Sequence, residues 1–246
     1  MRVFYYTLTN PGNRGLNEDA FSANKNEDGT FMFTVCDGLG GTNKGEVASK
    51  ICAETFARAS KRYDFAHRGA DFLAACFRKS QRNVLLEQEK QDIGSNMKTT
   101  CVALCCDGDS LTWGHVGDSR LYAFKDSKII TRTTDHSVPQ MLVASGKIKE
   151  KDIRFHPSRN KLLRAIGDEW DREQFEISKS YPINDFDAFL LCTDGFWELV
   201  TEKQMEKSLK KAESPRGWLK LMEPVIADRS DIKNKDNFTA LAVMFK

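Results

Sequence analysis

Short apolar segments rich in aromatic and β-branched residues recur along the chain, and turn residues separate them. Such segments favour an extended backbone, so we predict a strand for each one. The predicted strands are 2–9, 19–24, 30–36, 99–106, 110–117, 120–125, 128–133, 174–181, 188–193 and 238–245. Their short separations are typical of hairpins and predict mainly antiparallel pairing.

Four other segments carry apolar residues at the three- and four-residue spacing of an amphipathic helix. These predicted helices are 44–62, 69–90, 201–212 and 215–228. The strands are too many for one comfortable open sheet. The pattern therefore predicts an α+β fold in which two packed sheets have helices on their outer faces.

The segment 134–172 interrupts this alternation of strands and helices. It is polar, contains only short helix-prone pieces, and carries the sequence HPSRN at 156–160. An insertion of this length without strand character usually has a functional role. The chain as a whole, at 246 residues, has room for one large domain or two small ones.

Charge and composition exclude several classes of function. The chain has 37 basic and 35 acidic residues and a net charge of +2, so no basic excess points to a nucleic-acid partner. The first residues lack the apolar run of a signal peptide, and no apolar stretch is long enough to span a membrane. We therefore expect a cytoplasmic protein with no membrane partner.

The seven cysteines fit a reducing compartment, because the chain shows no secretory signal. Their number is odd, and no two of them form a C-x-x-C pair of the kind found in metal and redox sites. We predict that they are small core hydrophobes rather than metal ligands or redox groups.

Acidic residues stand where predicted strands begin or end. They are Glu18, Asp19, Asp37, Asp118, Asp194 and Asp236. A single Asp-Gly pair, such as Asp37-Gly38 or Asp194-Gly195, is explained by a turn. Several carboxylates that meet at one end of two sheets would repel one another, however, and would need cations to coexist.

Oxygen donors of this kind select Mg²⁺ or Mn²⁺ rather than zinc or copper. Two such ions that share a carboxylate can hold a bridging water and lower its pKa, which produces a nucleophile for in-line attack on phosphorus. Gly38 has no side chain, so its carbonyl could approach an ion beside Asp37. Arg14 is a candidate phosphate ligand, because a guanidinium donates two parallel hydrogen bonds to phosphate oxygens.

Together these residues resemble the metal-dependent protein serine/threonine phosphatases of type 2C, in their bacterial form. Eight sequence blocks occur in the order of that family and span residues 14 to 239. The blocks are RGLNED (14–19), VCDGLGG with GEVAS (35–49), TT (99–100), HVGDSR (115–120), DHS (135–137), HPSRNKLLRAIG (156–167), LLCTDGFWE (190–198) and DNFT (236–239). The resemblance implies a four-layer α-β-β-α sandwich and a single domain over 1–246, with 134–172 as a flap.

The resemblance also implies roles for the site residues. Asp37 would bridge two metal ions and the Gly38 carbonyl would join one of them, while Asp194 and Asp236 would hold the other. Asp118, with Asp194, matches a site for a third ion. The remaining implied roles are those of Glu18 and Asp19, which would act through metal-bound waters, and of Arg14, which would bind phosphate.

Two positions depart from the family pattern. Leu39 stands where animal-type members carry a histidine that is taken as the general acid, so we name no general acid. Lys98 gives M-K-T-T where M-G-T-T is usual in this branch. For His136 and His156, both in the flap, we predict hydrogen bonding within the flap rather than catalysis.

Together with this resemblance, the sequence predicts a cytoplasmic, monomeric enzyme that hydrolyses phosphoserine and phosphothreonine in proteins and opposes a cognate serine/threonine kinase. Its cofactors would be Mn²⁺ or Mg²⁺, as two core ions and a third. One alternative is a pseudophosphatase that only binds phosphoproteins; the presence of Asp37, Asp194 and Asp236 argues against it. Another is an unrelated two-metal nuclease or pyrophosphatase, which would be expected to have a basic channel.

Overall fold

The computed structural model describes residues 2–39, 44–61, 69–93, 96–228 and 235–246. The strands are β1 Val3–Asn10, β2 Asp19–Lys25, β3 Phe31–Leu39, β4 Lys98–Thr99, β5 Cys101–Asp107, β6 Ser110–Val116, β7 Arg120–Lys125, β8 Lys128–Arg132, β9 Glu176–Ile177, β10 Tyr181–Pro182, β11 Ala188–Cys192 and β12 Phe238–Phe245. The helices are α1 Gly45–Ser60, α2 Ala70–Gln91, α3 Val138–Ala144, α4 Asp194–Trp197, α5 Glu202–Lys211 and α6 Pro215–Ala227.

The described strands form two antiparallel sheets. One has the order β1-β12-β11-β7-β8, and the other has the order β10-β6-β5-β3-β2, with β4 paired to β3 and β9 paired to β6. In the second sheet, β2 and β3 are aligned so that Asp19 lies opposite Asp37. This pairing brings two of the predicted site residues together at one end of the sheet.

Three apolar cores separate four layers. The core between the sheets includes Phe33, Leu104 and Leu191, the core under α1 and α2 includes Met32 and Cys36, and a third lies under α4, α5 and α6. Alternate residues of one strand therefore enter different cores. This burial of both faces explains why the central strands are continuous apolar runs, and it confirms the predicted α+β sandwich.

The structure corrects two strand predictions. The predicted strand 99–106 is divided at Thr100, whose backbone N–H donates to the Asp37 carbonyl oxygen at 2.9 Å. The predicted strand 174–181 contains only the two short pieces β9 and β10. Between them, the Ser178 hydroxyl accepts a hydrogen bond from the Trp113 backbone N–H at 3.1 Å, which takes the place of a regular ladder bond.

The segment after β8 contains α3, a 3-10 helix at Glu150–Phe155 and irregular chain up to β9. Ser137 caps α3 by accepting a hydrogen bond from the Gln140 backbone N–H, and Pro139 lies in the first turn. Among the described helices, none combines the length and the apolar character needed to cross a bilayer.

Candidate active site

A cleft of about 280 Å³ opens where β3, β11 and β12 meet the N-terminal segment and the region after β8. Its lining contains seven of the eight predicted site residues, the exception being Asp19. The lining residues are Arg14, Glu18, Asp37, Gly38, Leu39, Asp118, Asn160, Leu162, Asp194, Asp236 and Asn237. The convergence of carboxylates expected from the strand ends is therefore present.

A larger, shallower hollow of about 630 Å³ is lined by Lys25, Asn26, Glu27, Asp28 and Lys61. It lies at the β2–β3 turn, at the opposite end of these strands from the Asp19–Asp37 pair. Its lysines and carboxylates are of mixed sign and do not form a set of ligands. We therefore place the site chemistry in the acidic cleft.

Threonine hydroxyls form hydrogen bonds with the backbone of Asp37 and with the side chain of Asp19. The Asp37 backbone N–H donates to the Thr100 hydroxyl at 3.0 Å, and that hydroxyl also bonds to Ser119 at 2.7 Å. The Thr193 hydroxyl donates to Asp19 Oδ2 at 3.0 Å. The other carboxylate oxygen of Asp19 is buried and has no hydrogen-bond partner among the described residues.

Asp118 lies in the turn between β6 and β7, and its carbonyl is fixed from the neighbouring helix. The Trp197 indole N–H donates to the Asp118 carbonyl oxygen at 3.0 Å. The Arg120 guanidinium stacks on the Trp197 ring at 3.5 Å and forms two hydrogen bonds, of 2.7 and 2.8 Å, with Asp135. This buried ion pair makes the turn rigid, so the Asp118 carboxylate is held at the cleft.

Asp194 and Asp236 approach the cleft from the other sheet. Asp194 is the first residue of the short helix α4, which the sequence pattern did not predict. The next residue must be glycine, because a Cβ at Gly195 would lie 2.0 Å from the Asn237 carbonyl oxygen. Asp236 accepts a hydrogen bond from Arg14 at 3.0 Å, and both side chains are about half exposed.

Burial and mutual repulsion raise the pKa values of the carboxyl groups. Burial, reinforced by Asp194, raises the pKa of Asp19 to about 7. Burial and the charge of Asp194 raise the pKa of Asp37 well above its usual range, and the same two causes act on Asp118. The polypeptide alone therefore opposes the charged form of these groups, which is what a cation in the cleft would reverse.

Gly38 allows a close approach of two backbone segments. A Cβ at this position would lie 2.4 Å from the Gly45 carbonyl carbon and 2.6 Å from the Glu18 carbonyl oxygen. The start of α1 therefore packs directly on the end of β3, and Ser49 of α1 donates to the Glu18 carbonyl oxygen at 2.6 Å. This packing is a reason for glycine that we did not derive from the sequence, where only the approach of a carbonyl to a metal was considered.

Comparison with known proteins agrees with this geometry. The profile of the family described as Protein phosphatase 2C matches residues 12–228. The chain belongs to the protein phosphatase 2C family. The prediction of the family, and of the enzyme class protein-serine/threonine phosphatase, is thereby confirmed.

Two curated relatives carry names of that class. The chain is 32% identical over 234 residues to the serine/threonine phosphatase stp of Listeria welshimeri, an alignment that covers 92% of this chain and 89% of that protein. It is 28% identical over 216 residues to the serine/threonine protein phosphatase PstP of Mycobacterium tuberculosis, with 85% of this chain and 39% of PstP covered.

Solved structures share the fold. The serine/threonine phosphatase Stp1 from Staphylococcus aureus superposes with a TM-score of 0.89 at 25% identity, over 100% of this chain and 96% of Stp1. A PstP catalytic domain solved with two manganese ions gives a TM-score of 0.77 at 24% identity, over 98% of this chain and 97% of that domain. These likenesses confirm the sandwich of two sheets and outer helices.

The sequence reasoning missed Asn237 as a residue that positions the phosphatase site. Its side-chain oxygen accepts from the Glu18 backbone N–H at 2.8 Å, and its amide donates to the carbonyls of Pro11 and Leu16 at 2.9 Å. It thus fixes the segment that carries Arg14 and Glu18 against the start of β12. The signal was available, since Asn237 lies within the DNFT block, but we considered only Asp236 there.

Glu198 was also missed. Burial and the negative charge of Asp194 raise its pKa to about 7, although Arg159 binds its carboxylate at 2.9 Å. This pair connects α4 to the region after β8. The predicted hydrogen bonding within the flap is found for His156, whose Nδ1 accepts from the Ser158 backbone N–H at 3.1 Å, whereas His136 Nδ1 accepts at 3.2 Å from the backbone N–H of Gly117, which lies outside the flap.

Lys98 forms an ion pair with Asp168 at 2.5 Å. Its neighbour Thr99 exchanges two backbone hydrogen bonds of 2.9 Å with Ile166. The lysine therefore helps to hold the end of the predicted flap against β4, which is paired to β3 at Gly38. This contact gives the unusual lysine a structural role.

Proposed function

We propose that this phosphatase removes phosphate from phosphoserine and phosphothreonine side chains of proteins, using divalent metal ions bound in the acidic cleft. The observation that carries the proposal is the convergence of Asp37, Asp118 and Asp194, each with a raised pKa, in one cleft, with Asp19 opposite Asp37 on the neighbouring strand and its pKa raised as well. Carboxylates are not gathered in this way for stability, because their repulsion opposes folding.

The residues fit a hard divalent cation. All of the acidic side chains offer oxygen, and neither histidine nor cysteine lines the cleft among the described residues. Asp19 keeps one buried carboxylate oxygen without a hydrogen-bond partner, which would accept from an ion-bound water. Mn²⁺ and Mg²⁺ are the ions that such donors prefer, and the PstP domain solved with two manganese ions supports manganese.

We propose that Asp37 and the Gly38 carbonyl oxygen, together with Asp194 and Asp236, would hold two core ions. Glu18 and Asp19 would support them through water, and Asp118 with Asp194 would hold a third ion. Bound divalent ions supply Lewis acidity and an activated water for hydrolysis of the phosphate ester.

The chain's own residues bind and orient the substrate. Arg14 is half exposed at the rim and already binds a carboxylate at 3.0 Å, so its guanidinium can exchange that partner for phosphate oxygens. With Asp236 engaged as a ligand, its ion pair with Arg14 would be weaker, and the half-exposed guanidinium would be able to turn toward phosphate. Leu39 lines the cleft and has no proton to donate, so the leaving group must take its proton from a group other than residue 39.

We further propose that residues 1–246 form one phosphatase domain with a flap at 134–172, and that the protein works as a cytoplasmic monomer opposing a serine/threonine kinase. The pseudophosphatase alternative is not favoured, since the acidic ligand set is complete. A nuclease would need basic residues along a channel, whereas Arg14 is the sole basic side chain in the described lining of the cleft.

The deciding experiment is hydrolysis of a phosphothreonine peptide and a phosphoserine peptide by the full chain. We expect turnover with added Mn²⁺, loss of turnover after EDTA, and recovery when Mn²⁺ is added in excess. A matched sample of the Asp37→Asn variant controls for contaminating phosphatases. Full turnover after exhaustive chelation, or equal turnover in the variant, would contradict the metal mechanism.

A further inference from the structure

Three cysteines that are far apart in the sequence meet directly beneath the acidic cleft. Cys36 lies on β3, Cys52 on α1 and Cys101 on β5, and each is fully buried. Their sulfur atoms all lie within 4.8 Å of one another. The lack of a C-x-x-C pair predicts core packing alone, but the fold assembles a group of thiols that no local spacing in the sequence reveals.

The geometry of these thiols suits a metal ion. Because the sulfurs lie within 4.8 Å of one another, some point lies within about 2.8 Å of all three, close to the ~2.3 Å of a zinc–thiolate bond. An inward shift of each sulfur by about half an ångström, through rotation about χ1 and small backbone shifts, would complete three bonds. Thiolates favour soft or borderline ions over the hard ions suited to the cleft above.

Ser80 supplies a fourth donor. This residue of α2 is fully buried, and its hydroxyl lies against the Cys52 thiol, with no other hydrogen-bond partner among the described residues. Three thiolates and one hydroxyl match the four-coordinate preference of Zn²⁺. A divalent ion leaves a net charge of −1 with three thiolates, whereas a monovalent ion would leave −2 in an apolar core, which is costlier.

A second group of possible ligands, His115, His136 and Glu176, fits a metal less well. The two imidazole rings are stacked at 4.5 Å with an interplanar angle of 19°, so their lone pairs lie in nearly parallel planes and do not converge on one ion. The Arg164 guanidinium is 3.2 Å from both His136 and Glu176, and its charge would repel a cation.

We propose that Cys36, Cys52 and Cys101, with Ser80, bind one borderline divalent ion of the Zn²⁺ class, and that this binding slows the phosphatase. On binding, each S–H bond is exchanged for a sulfur–metal bond and three protons pass to solvent. No group changes its oxidation state. The proposal that the thiols bind an ion does not depend on the proposed function. The proposal that this binding slows turnover does, because it assumes that the protein is a phosphatase.

The ligands are placed where their movement would reach the cleft. Cys36 immediately precedes Asp37, and Cys101 immediately follows Thr100, whose hydroxyl accepts from the Asp37 backbone N–H. Cys52 lies on α1, one turn after Ser49, which donates to the Glu18 carbonyl oxygen. A contraction of the three sulfurs would therefore shift β3, β5 and α1 relative to one another beneath Asp37.

Cadmium is the probe for binding, because its charge-transfer absorption in the ultraviolet reports bonds to thiolates and not to carboxylates. Reduced, metal-free full-length protein is titrated with Cd²⁺ at saturating Mg²⁺. We expect one equivalent to produce thiolate absorption in the wild type, and at least a tenfold loss of affinity in Cys52→Ser. The control Cys106→Ala, also on β5 but facing the core between the sheets, should bind like the wild type.

Serine nearly preserves the volume of cysteine, and circular dichroism together with Mn²⁺-supported turnover checks that Cys52→Ser is folded. Ser80→Ala is a second variant that retains all three thiols, and we expect a smaller loss of affinity there. No thiolate absorption in the wild type, or equal absorption in wild type and Cys52→Ser, would overturn the site.

Coupling to the cleft is tested by loading one equivalent of Zn²⁺, removing the excess, and measuring peptide turnover at saturating Mn²⁺. We expect at least a twofold decrease in the wild type and none in Cys52→Ser. Thiolate binding without a change in turnover would refute the coupling. A protein that shows Cd–thiolate absorption but never hydrolyses phosphopeptides would contradict the proposed function and leave the thiol site standing.

Discussion

Replacement of Asp19 by asparagine should stabilise the metal-free protein, although it removes a group of the proposed site. The Asp19 carboxyl has a pKa of about 7 in the fold against a usual 3.8, because it is buried and lies near Asp194. This difference corresponds to about 4 kcal/mol, since each pKa unit is worth about 1.4 kcal/mol. Neighbouring carboxyls interact with Asp19 and can take up the proton in its place. We therefore expect Asp19→Asn to raise the free energy of unfolding by about half of this amount, ~2 kcal/mol.

The sign of the pH dependence follows from the same two pKa values. The unfolded chain loses the Asp19 proton near pH 4 and the folded chain near pH 7. Between these values the folded state holds the extra proton, so the free energy of unfolding of the metal-free wild type decreases as pH rises through this window and levels off above it. The advantage of Asp19→Asn should therefore be largest at pH 8 and mostly absent at pH 5.

The assay is urea denaturation of chelator-treated wild type and Asp19→Asn at pH 8 and pH 5. The exposed Asp185 of the 3-10 turn Ile183–Asp185 provides the control Asp185→Asn, which should differ little from the wild type at either pH. With saturating Mn²⁺ the order should reverse, because the wild type gains more from the ion. A metal-free Asp19→Asn protein less stable than the wild type at pH 8 would refute the reasoning.

Three further predictions concern turnover of phosphopeptides. Asp37→Asn, Asp194→Asn and Asp236→Asn should each lower kcat by orders of magnitude while circular dichroism shows a retained fold; near wild-type kcat in any one would remove that residue from the site. Arg14→Ala should raise KM more than it lowers kcat, for a loss of about 1.5–3 kcal/mol in kcat/KM, and an unchanged KM would place it outside the phosphate pocket. Asp118→Ala should slow peptide turnover with an unchanged or higher Tm, and a lower Tm with normal turnover would make it a turn residue only.

The regular strands and helices were predictable because the spacing of their apolar residues in the sequence matches the faces that are buried in the fold. The strand β12 and the helix α6 each lie within a residue of the predicted bounds, and both have faces buried by the layers beside them. The prediction of 174–181 as one strand was wrong, because that segment pairs along the edge of a sheet, where Ser178 can replace ladder bonds with its side chain. The alternation of apolar and polar residues along a segment does not show where a side-chain hydroxyl takes the place of a backbone hydrogen-bond partner.

The site was predictable only in part. The positions of Asp37 and Asp194 at strand ends follow from the pattern, and the family blocks supply their grouping. The DNFT block marks the position of Asn237, but its three hydrogen-bond partners could not be derived, because they lie more than 200 residues away in the N-terminal segment. The thiols of Cys36, Cys52 and Cys101 were missed for the same reason, since only the packing of α1 on the sheet brings them together.

Asp118 shows how a turn residue and a site residue can be the same group. Taken alone, its place between β6 and β7 after Gly117, which has a φ of +96°, is explained by a hairpin. A residue that served the turn alone would direct its side chain to solvent, whereas Asp118 is 5% exposed and lines the acidic cleft. The turn is held instead by the Trp197 bond to its carbonyl and by Gly117. Since the charged carboxylate is destabilised where it lies, we propose that it is present to bind a ligand rather than to hold the turn.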